Sequence, residues 1–326
     1  MIRQPDEILD MEKRIRILIG GFPGIGKSTI GLSAPKPLHI DVDFGIDRVE
    51  PRYRKAFIQP ATYDEVLNDL VPMNLGNYET LLFDTGGKLL ELMKPWAIKT
   101  DPKNGKRDGS LSLQGYGTVG REFVRLMDYC HRELDKHIVI LFHSIEEKDN
   151  DNTKLRLMIE GGTKNTVWQP MDLGGFMEMY GNDRTLGLSN CERYYAKGTR
   201  GIHGIRKIPE LTEKSANNFL KNLFNEYNNT STAEVERAKG QREKYDIAIA
   251  DSDAIIRSVT DIKTANESIS KMAAIEHALT SEAEVRVKFR AHIAALGLFY
   301  DKVLGKYTEA PLPATGESVD SKEGDK

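Results

Sequence analysis

Residues 15–29 read Ile-Arg-Ile-Leu-Ile-Gly-Gly-Phe-Pro-Gly-Ile-Gly-Lys-Ser-Thr: an apolar run, a glycine-rich turn, then Gly26-Lys27-Ser28. Gly21 followed after four residues by Gly26, Lys27 and Ser28 is the phosphate-binding loop pattern. Glycine at positions 21, 24 and 26 lets the backbone fold tightly enough for successive N–H groups to point inward at phosphate oxygens. The segment Gly21-Phe22-Pro23-Gly24-Ile25-Gly26-Lys27-Ser28-Thr29 is therefore the expected ATP site. Lys27 would reach the β and γ phosphates, and the Ser28 hydroxyl would ligate Mg²⁺. A glycine turn without a ligand is the alternative, but the strand before it and the helix after it are the setting the motif requires.

Working outward, Pro35 and Pro37 stop the helix, and residues 38–43, Leu-His-Ile-Asp-Val-Asp, read as a strand ending in acid. Carboxylates at that end of a strand are placed to meet Mg²⁺ or the attacking water. Asp41 and Asp43 could instead cap the following turn. A further strand is expected at 56–58, and Thr62 to Glu65 forms a capping box for a helix through Val71. Residues 78–84 read as another buried strand ending in Asp84-Thr85, where Asp84 is placed to hold the metal through its water shell. A helix over 87–98 gives way to a loose stretch, 99–112, carrying Lys99, Lys103, Lys106 and Arg107. Residues 118–134 form a helix with Val119, Phe123, Leu126, Met127 and Cys130 on one face. The fifth strand, 137–144, ends at His143-Ser144, and the charged, glycine-interrupted stretch 146–166 follows with little expected regular structure.

Short antiparallel strands are expected at 176–180, 185–188 and 193–196. The most basic part of the chain, Arg193, Lys197, Arg200, Arg206 and Lys207, has no acid until Glu210 and contains Tyr194 and Tyr195. It reads as a track for single-stranded nucleic acid, as a source of a cationic finger for a neighbouring subunit, or as a plain exposed hairpin. The domain reading is a core over 1–227, a linker over 228–236, a helical appendage over 237–307 and a disordered tail over 308–326. Helical periodicity at Ile255, Val259, Ile262, Ile269 and Met272, and again at Val285, Phe289, Ile293, Leu296, Phe299 and Val303, defines the appendage.

The stretch Ile40-Asp41-Val42-Asp43-Phe44-Gly45-Ile46-Asp47 resembles the segment of RecA-family proteins in which an acid two residues after the first Asp activates water. Asp84-Thr85 matches that family's Asp-Ser, and His143 stands where it has an Asn-Gln pair sensing the γ-phosphate. Residues 14–210 thus resemble the bacteriophage RecA-like ATPases that act as single-strand annealing proteins or recombinases. The resemblance implies an α/β RecA-like P-loop NTPase core with a mostly parallel central sheet, plus the small C-terminal helical appendage. It also implies Lys27, Asp43, Asp84 and His143 in catalysis, Ser28 and Asp84 at Mg²⁺, and Lys197, Arg200, Arg206 and Lys207 on DNA. Single-stranded DNA, a single-strand binding protein and further copies of the chain are the implied partners. The family usually has Glu where Asp43 stands, the Asn-Gln pair is absent, and 13 residues ahead of the core are shorter than a polymerisation domain.

A net charge of −3 leaves nucleic-acid contact to local basic patches rather than a global field. Two isolated cysteines, Cys130 and Cys191, make neither a disulfide framework nor a zinc site. With no run of about 18 apolar residues, a soluble protein of the cytoplasm, the host's if phage-encoded, is expected. Three function classes compete: a DNA-dependent ATPase, a nucleotide-gated interaction or loader module of replication, and a P-loop kinase. No arginine cluster of the kind that forms a kinase lid is visible.

Overall fold

Alternation along the apolar strands decides which side chain meets which layer. In β1 (Arg16–Gly21), Ile17 and Ile19 point to one face of the sheet and Leu18 to the other. A computed structural model describes residues 13–149 and 152–309. After β1 come α1 (Lys27–Gly31), β2 (Pro37–Asp41), β3 (Phe57–Ile58), α2 (Tyr63–Asp69), β4 (Thr80–Asp84) and α3 (Gly86–Thr100). Then follow α4 (Leu113–Asp128), β5 (His137–Asp149), β6 (Asn152–Leu157), α5 (Thr163–Thr166), β7 (Leu173–Tyr180), β8 (Asp183–Gly187) and β9 (Ile205–Lys207). The strand order is β3-β2-β4-β5-β1-β7-β8-β9. Pairing is parallel from β3 to β7 and antiparallel from β7 to β9.

Each face of this sheet carries its own core. Leu18, Ile40, Phe83, Ile140 and Phe142 pack beneath helices that include Val66, Leu90, Met93, Phe123 and Met127. Ile17, Ile19, Leu82, Val139 and Leu141 face Ile30 of α1, together with Leu220 and Phe224. Burial on both faces explains why these strands read as continuous apolar runs. The expected α/β architecture with a mostly parallel sheet is therefore present. Among the described residues no helix is long and apolar enough to cross a membrane.

Several local expectations are corrected. Residues 146–166 are mostly regular: β5 continues to Asp149 and folds back onto β6 as an antiparallel hairpin, pairing Ser144 with Leu157. Alternating charges, as in Lys154-Leu155-Arg156-Leu157, suit a strand with one buried face, and Leu155 and Leu157 are buried. The stretch 99–112 is tied down through Asn104, which is buried, donates to the Ala97 carbonyl and accepts from the Ser112 N–H through its own carbonyl. The third antiparallel strand is β9, not 193–196, because Tyr194 and Ala196 are taken into the core beside Phe176.

The described residues divide into two compact units, one over 13–232 and the other over 233–309. The expected linker 228–236 is helical: α6 spans Phe219–Ser258, and no glycine or proline interrupts it before Gly240. The expected all-helical appendage holds α7 (Ile262–Ala273) and α8 (Ser281–Ala295), but also a hairpin of β10 (Leu298–Asp301) and β11 (Lys306–Glu309). Gly297 at φ +69° ends α8, so Phe299 and Val303 leave the helical stripe. Tyr300 opposes Tyr307 across the strands with ring centroids 5.1 Å apart. Thr308 and Glu309 are strand, and the rest of the expected disordered tail lies outside the described residues.

One glycine tests the packing between β7 and β8. A methyl at Gly175 would lie 1.9 Å from the Gly187 carbonyl oxygen, a backbone atom that cannot retreat without breaking the strand pairing. Gly175→Ala is expected to cost about 3 kcal/mol or more in chemical denaturation. Gly76→Ala, with open space around it, should stay within about 0.5 kcal/mol of the parent.

Candidate nucleotide-binding site

The loop between β1 and α1 turns on two glycines in the left-handed region, Gly24 at φ +78° and Gly26 at φ +96°. Gly26 is also the residue from which α1 starts, and its conformation leaves the Lys27 side chain folded back over the loop. Lys27 Nζ donates to the carbonyls of Gly21 and Phe22, both at 2.9 Å, and lies 3.4 Å from His143 Nδ1. Only 5% of Lys27 is exposed. Burial pulls its pKa down to about 8, against the opposing charges of Asp84 and Asp43. A cation held in this way is under-compensated, so an anionic phosphate brought to the loop would restore the charge balance that burial removes.

Strand register assembles the rest. Gly21 pairs with His143 across β1 and β5, and Asp84 pairs with Leu141 across β5 and β4. The interposed β5 therefore sets His143 between the lysine and the aspartate. Asp84 is buried, which disfavours its charge. Hydrogen bonds from His39 and Ser28 and the nearby Lys27 outweigh that and hold its pKa below the ordinary carboxylate value. His39 Nε2 lies 3.3 Å from Asp84 Oδ2, and the Asp84–Thr85 peptide bond is cis. The half-buried His143 has its pKa lowered by desolvation and then by Lys27, which favours a neutral ring beside the ammonium.

The two strand-end acids of β2 separate cleanly. Asp41 is buried and spends its oxygens on the N–H groups of Gly45 and Ile46, at 2.9 and 3.0 Å, and on Gln59 Nε2 at 2.8 Å. It caps the turn. Asp43 keeps one ion pair, to Arg48 at 3.2 Å, and its N–H donates to the Asp84 carbonyl at 3.1 Å. Its charge is felt at both Lys27 and His143. Lys27, Ser28, Asp43, Asp84 and His143 thus converge on one place, at the carboxyl ends of β1 and β4 and beside the middle of β5.

The basic run does not join them as an open track. Lys197 Nζ donates to the Met171 carbonyl, Arg206 pairs with Glu226 at 2.9 Å and Lys207 with Asp183 at 2.7 Å. Arg193 bridges Glu146 and Glu178, and Arg200 lies over the Tyr227 ring. These acids are distant in sequence, which is why the run looked unopposed. Exposed pairs of this kind contribute about 0–1 kcal/mol each, yet they cancel the local positive field. Two residues at the loop escaped the sequence reading. His39 is one strand away from the acid it touches, and Arg184 of β8 reaches Gly26 from about 160 residues further along the chain.

The AAA domain family matches residues 13–200, more than half of the chain and the part that carries Lys27, Ser28, Asp43, Asp84, His143 and Arg184. The chain belongs to the AAA domain family. No curated protein matches it. Among solved structures it is similar to one described as an ATPase domain, at 12% identity and a TM-score of 0.36, over 61% of this chain and 81% of that one. The core of this AAA domain protein is an α/β fold with a mostly parallel sheet that carries a phosphate-binding loop.

The donors beside the loop suit a hard cation. Ser28 and Asp84 offer a hydroxyl and a carboxylate near enough for the hydroxyl to help hold the carboxylate charged. Among the described residues no three His, Cys, Asp or Glu side chains gather to hold a metal on their own. Mg²⁺ keeps several waters and shares phosphate oxygens, so a hydroxyl and one carboxylate are the number of protein ligands such an ion takes beside a bound nucleotide.

Because Lys27 titrates near pH 8 in the free protein, a bound phosphate must restore its proton above that pH. ATP affinity measured by calorimetry is expected to fall as pH rises from about 8 to about 9.5, approaching about tenfold per unit. Lys27→Ala should bind about ten- to a hundredfold more weakly near neutral pH and lose that dependence. A flat profile in the parent would contradict the assignment of the lysine to the phosphates.

Proposed function

We propose that this AAA domain protein is a Mg²⁺-dependent ATPase acting on single-stranded DNA in recombination or annealing. The observation that carries the reading is the convergence of Lys27, Ser28, Asp43, Asp84 and His143 at one edge of the sheet. Lys27 binds the terminal phosphates, Ser28 and Asp84 hold the metal, and Asp43 orients and deprotonates the attacking water. Mg²⁺ supplies neutralisation of charge on the transferring phosphoryl group. Asp43 is preferred to Asp41 as the base because Asp41 is fully engaged in holding the turn.

Support for the DNA half comes from a cavity of about 450 Å³ between β6, α5 and Tyr195. Trp168, Phe176 and Tyr195 give it aromatic walls, with Trp168 and Tyr195 edge to face at 4.9 Å, and Arg156 and Lys164 add positive charge. Aromatic faces beside cations are what an unpaired base and its phosphate need. The cavity also touches the nucleotide site through the backbone. Leu157 and Phe176 pack against Gly20, immediately ahead of the loop, and the Met158 N–H donates to the His143 carbonyl at 2.8 Å. A γ-phosphate sensed at His143 would thereby bias the hairpin that lines the cavity. Lys197, Arg200, Arg206 and Lys207 are further phosphate contacts in this reading, once their partners exchange for phosphates, although Arg206 and Lys207 line a separate groove with Pro209 and Phe219.

A second reading, a nucleotide-gated interaction module without strong hydrolysis, is favoured by the Asp43–Arg48 pair, which holds the proposed base. Turnover assays with and without single-stranded DNA separate the two. The ATPase reading expects DNA to stimulate turnover, and Asp43→Asn to retain ATP while turnover falls at least about a hundredfold. ATP binding with no turnover, and no ATP-dependent affinity for single strands at low salt, would favour the gated module.

A further inference from the structure

Among the described residues, Arg184 is a cation without a carboxylate partner, set against the phosphate loop. A Cβ built at Gly26 would lie 3.3 Å from Arg184 Cζ and 3.5 Å from both Nε and Nη1, so the guanidinium covers the residue that precedes Lys27. Arg184 Nε is buried and has no hydrogen-bond partner among the described residues. Its neighbours behave differently: Arg193, Arg206 and Lys207 all have carboxylate partners. Leaving a buried guanidinium donor unmatched costs free energy comparable to a lost hydrogen bond, which an anionic ligand would recover.

The position of Arg184 is fixed from both sides. In β8 it opposes Met179 of β7, and its carbonyl accepts from the Ile208 N–H at 2.8 Å, beyond the end of β9. Sheet order then decides which part of a nucleotide it can meet. Lys27, His143 and Asp84 occupy the β5–β4 side of β1, whereas β7 and β8 lie on the other side. The metal-binding and γ-phosphate groups therefore converge on one flank of the loop, and Arg184 guards the opposite flank.

We infer that Arg184 binds the α-phosphate and nucleoside side of the nucleotide, in the same chain, and sets affinity rather than turnover. This rests on the nucleotide-site reading above and adds to it a residue and a division of labour. A contact present equally in the ground state and the transition state raises KM when removed and leaves kcat much less affected. Since ADP and ATP share the α-phosphate, both should lose affinity by the same factor.

The test compares ATP and ADP binding by calorimetry, with steady-state turnover, in the full chain carrying Arg184→Ala, Arg184→Gln or Arg184→Lys. Arg184→Gln preserves most of the stem should the alanine variant fail to fold. The expected result for loss of charge is a fall of about ten- to a hundredfold in affinity for both nucleotides, with an equal ratio, and a matching rise in KM. Turnover at saturation should change by less than about threefold, and lysine should recover part of the affinity. Unchanged affinity in Arg184→Ala and Arg184→Gln, alongside loss in Lys27→Ala, overturns the role of Arg184 alone. A fall in kcat with ADP affinity intact also overturns it, placing the arginine on the γ-phosphate instead. Unchanged affinity in the Lys27 and Arg184 variants alike overturns the nucleotide site itself and this inference with it.

Discussion

A lysine ammonium taken out of water at the edge of a parallel sheet constrains much of what surrounds it. Lys27 has two backbone carbonyls as its direct oxygen acceptors, and its pKa near 8 records the cost of that burial. The surroundings are arranged to keep the charge nonetheless. Asp84 and Asp43 lie close enough to oppose the loss of the proton, and His143 has its own pKa lowered beside it. The loop is bounded by glycines because its backbone must come this close to both its own lysine and a ligand. At Gly26 any larger residue would be strained by its φ and would crowd Arg184.

Charge pairing gives the protein's cations different tasks. Most basic residues of the run near β9 are met by acids far away in sequence, as Arg193 is by Glu146 and Glu178. Such pairs are weak and exchangeable, suited to a surface that trades carboxylates for phosphates. Among the described residues neither Lys27 nor Arg184 has a carboxylate in ion-pair contact, and both lie against the same loop. Cations left unmatched beside an ordered backbone cradle are the pattern of a pre-organised anion site, where binding needs little rearrangement.

How much of this was legible in the sequence follows from the range of the interactions. The loop, its strand and its helix are local in sequence, and their chemistry could be read directly from residues 15–29. The strand-end position of Asp84 could be read from an apolar run that stops at a polar residue, whereas the run that stops at His143 does not end its strand, which continues to Asp149. Register could not: that Gly21 faces His143 depends on pairing between distant strands, whereas the Asp41 cap on Gly45 and Ile46 is local and was one of the two roles the sequence offered for that acid. The same limit hid the acids that neutralise the basic run, the Arg184 contact and the hairpin of β5 and β6. In the second unit, helical periodicity carried the reading through Ile293, which is buried, but Gly297 redirected the chain into a hairpin. Phe299 and Val303 kept the spacing of a helix by coincidence.

MgATP binding through Lys27 underlies every other role assigned to the site, and ligand-induced stabilisation measures it most directly. A ligand that binds only the folded chain stabilises it by RT ln(1 + [L]/Kd), about 2.7 kcal/mol at a hundred times Kd. Melting of the parent and of Lys27→Ala, each with and without saturating MgATP, is therefore the decisive comparison. The expected result is a rise in Tm for the parent that grows with ATP concentration and a much smaller rise for the variant at the same concentrations. No rise in the parent, or the same rise in both, would contradict it.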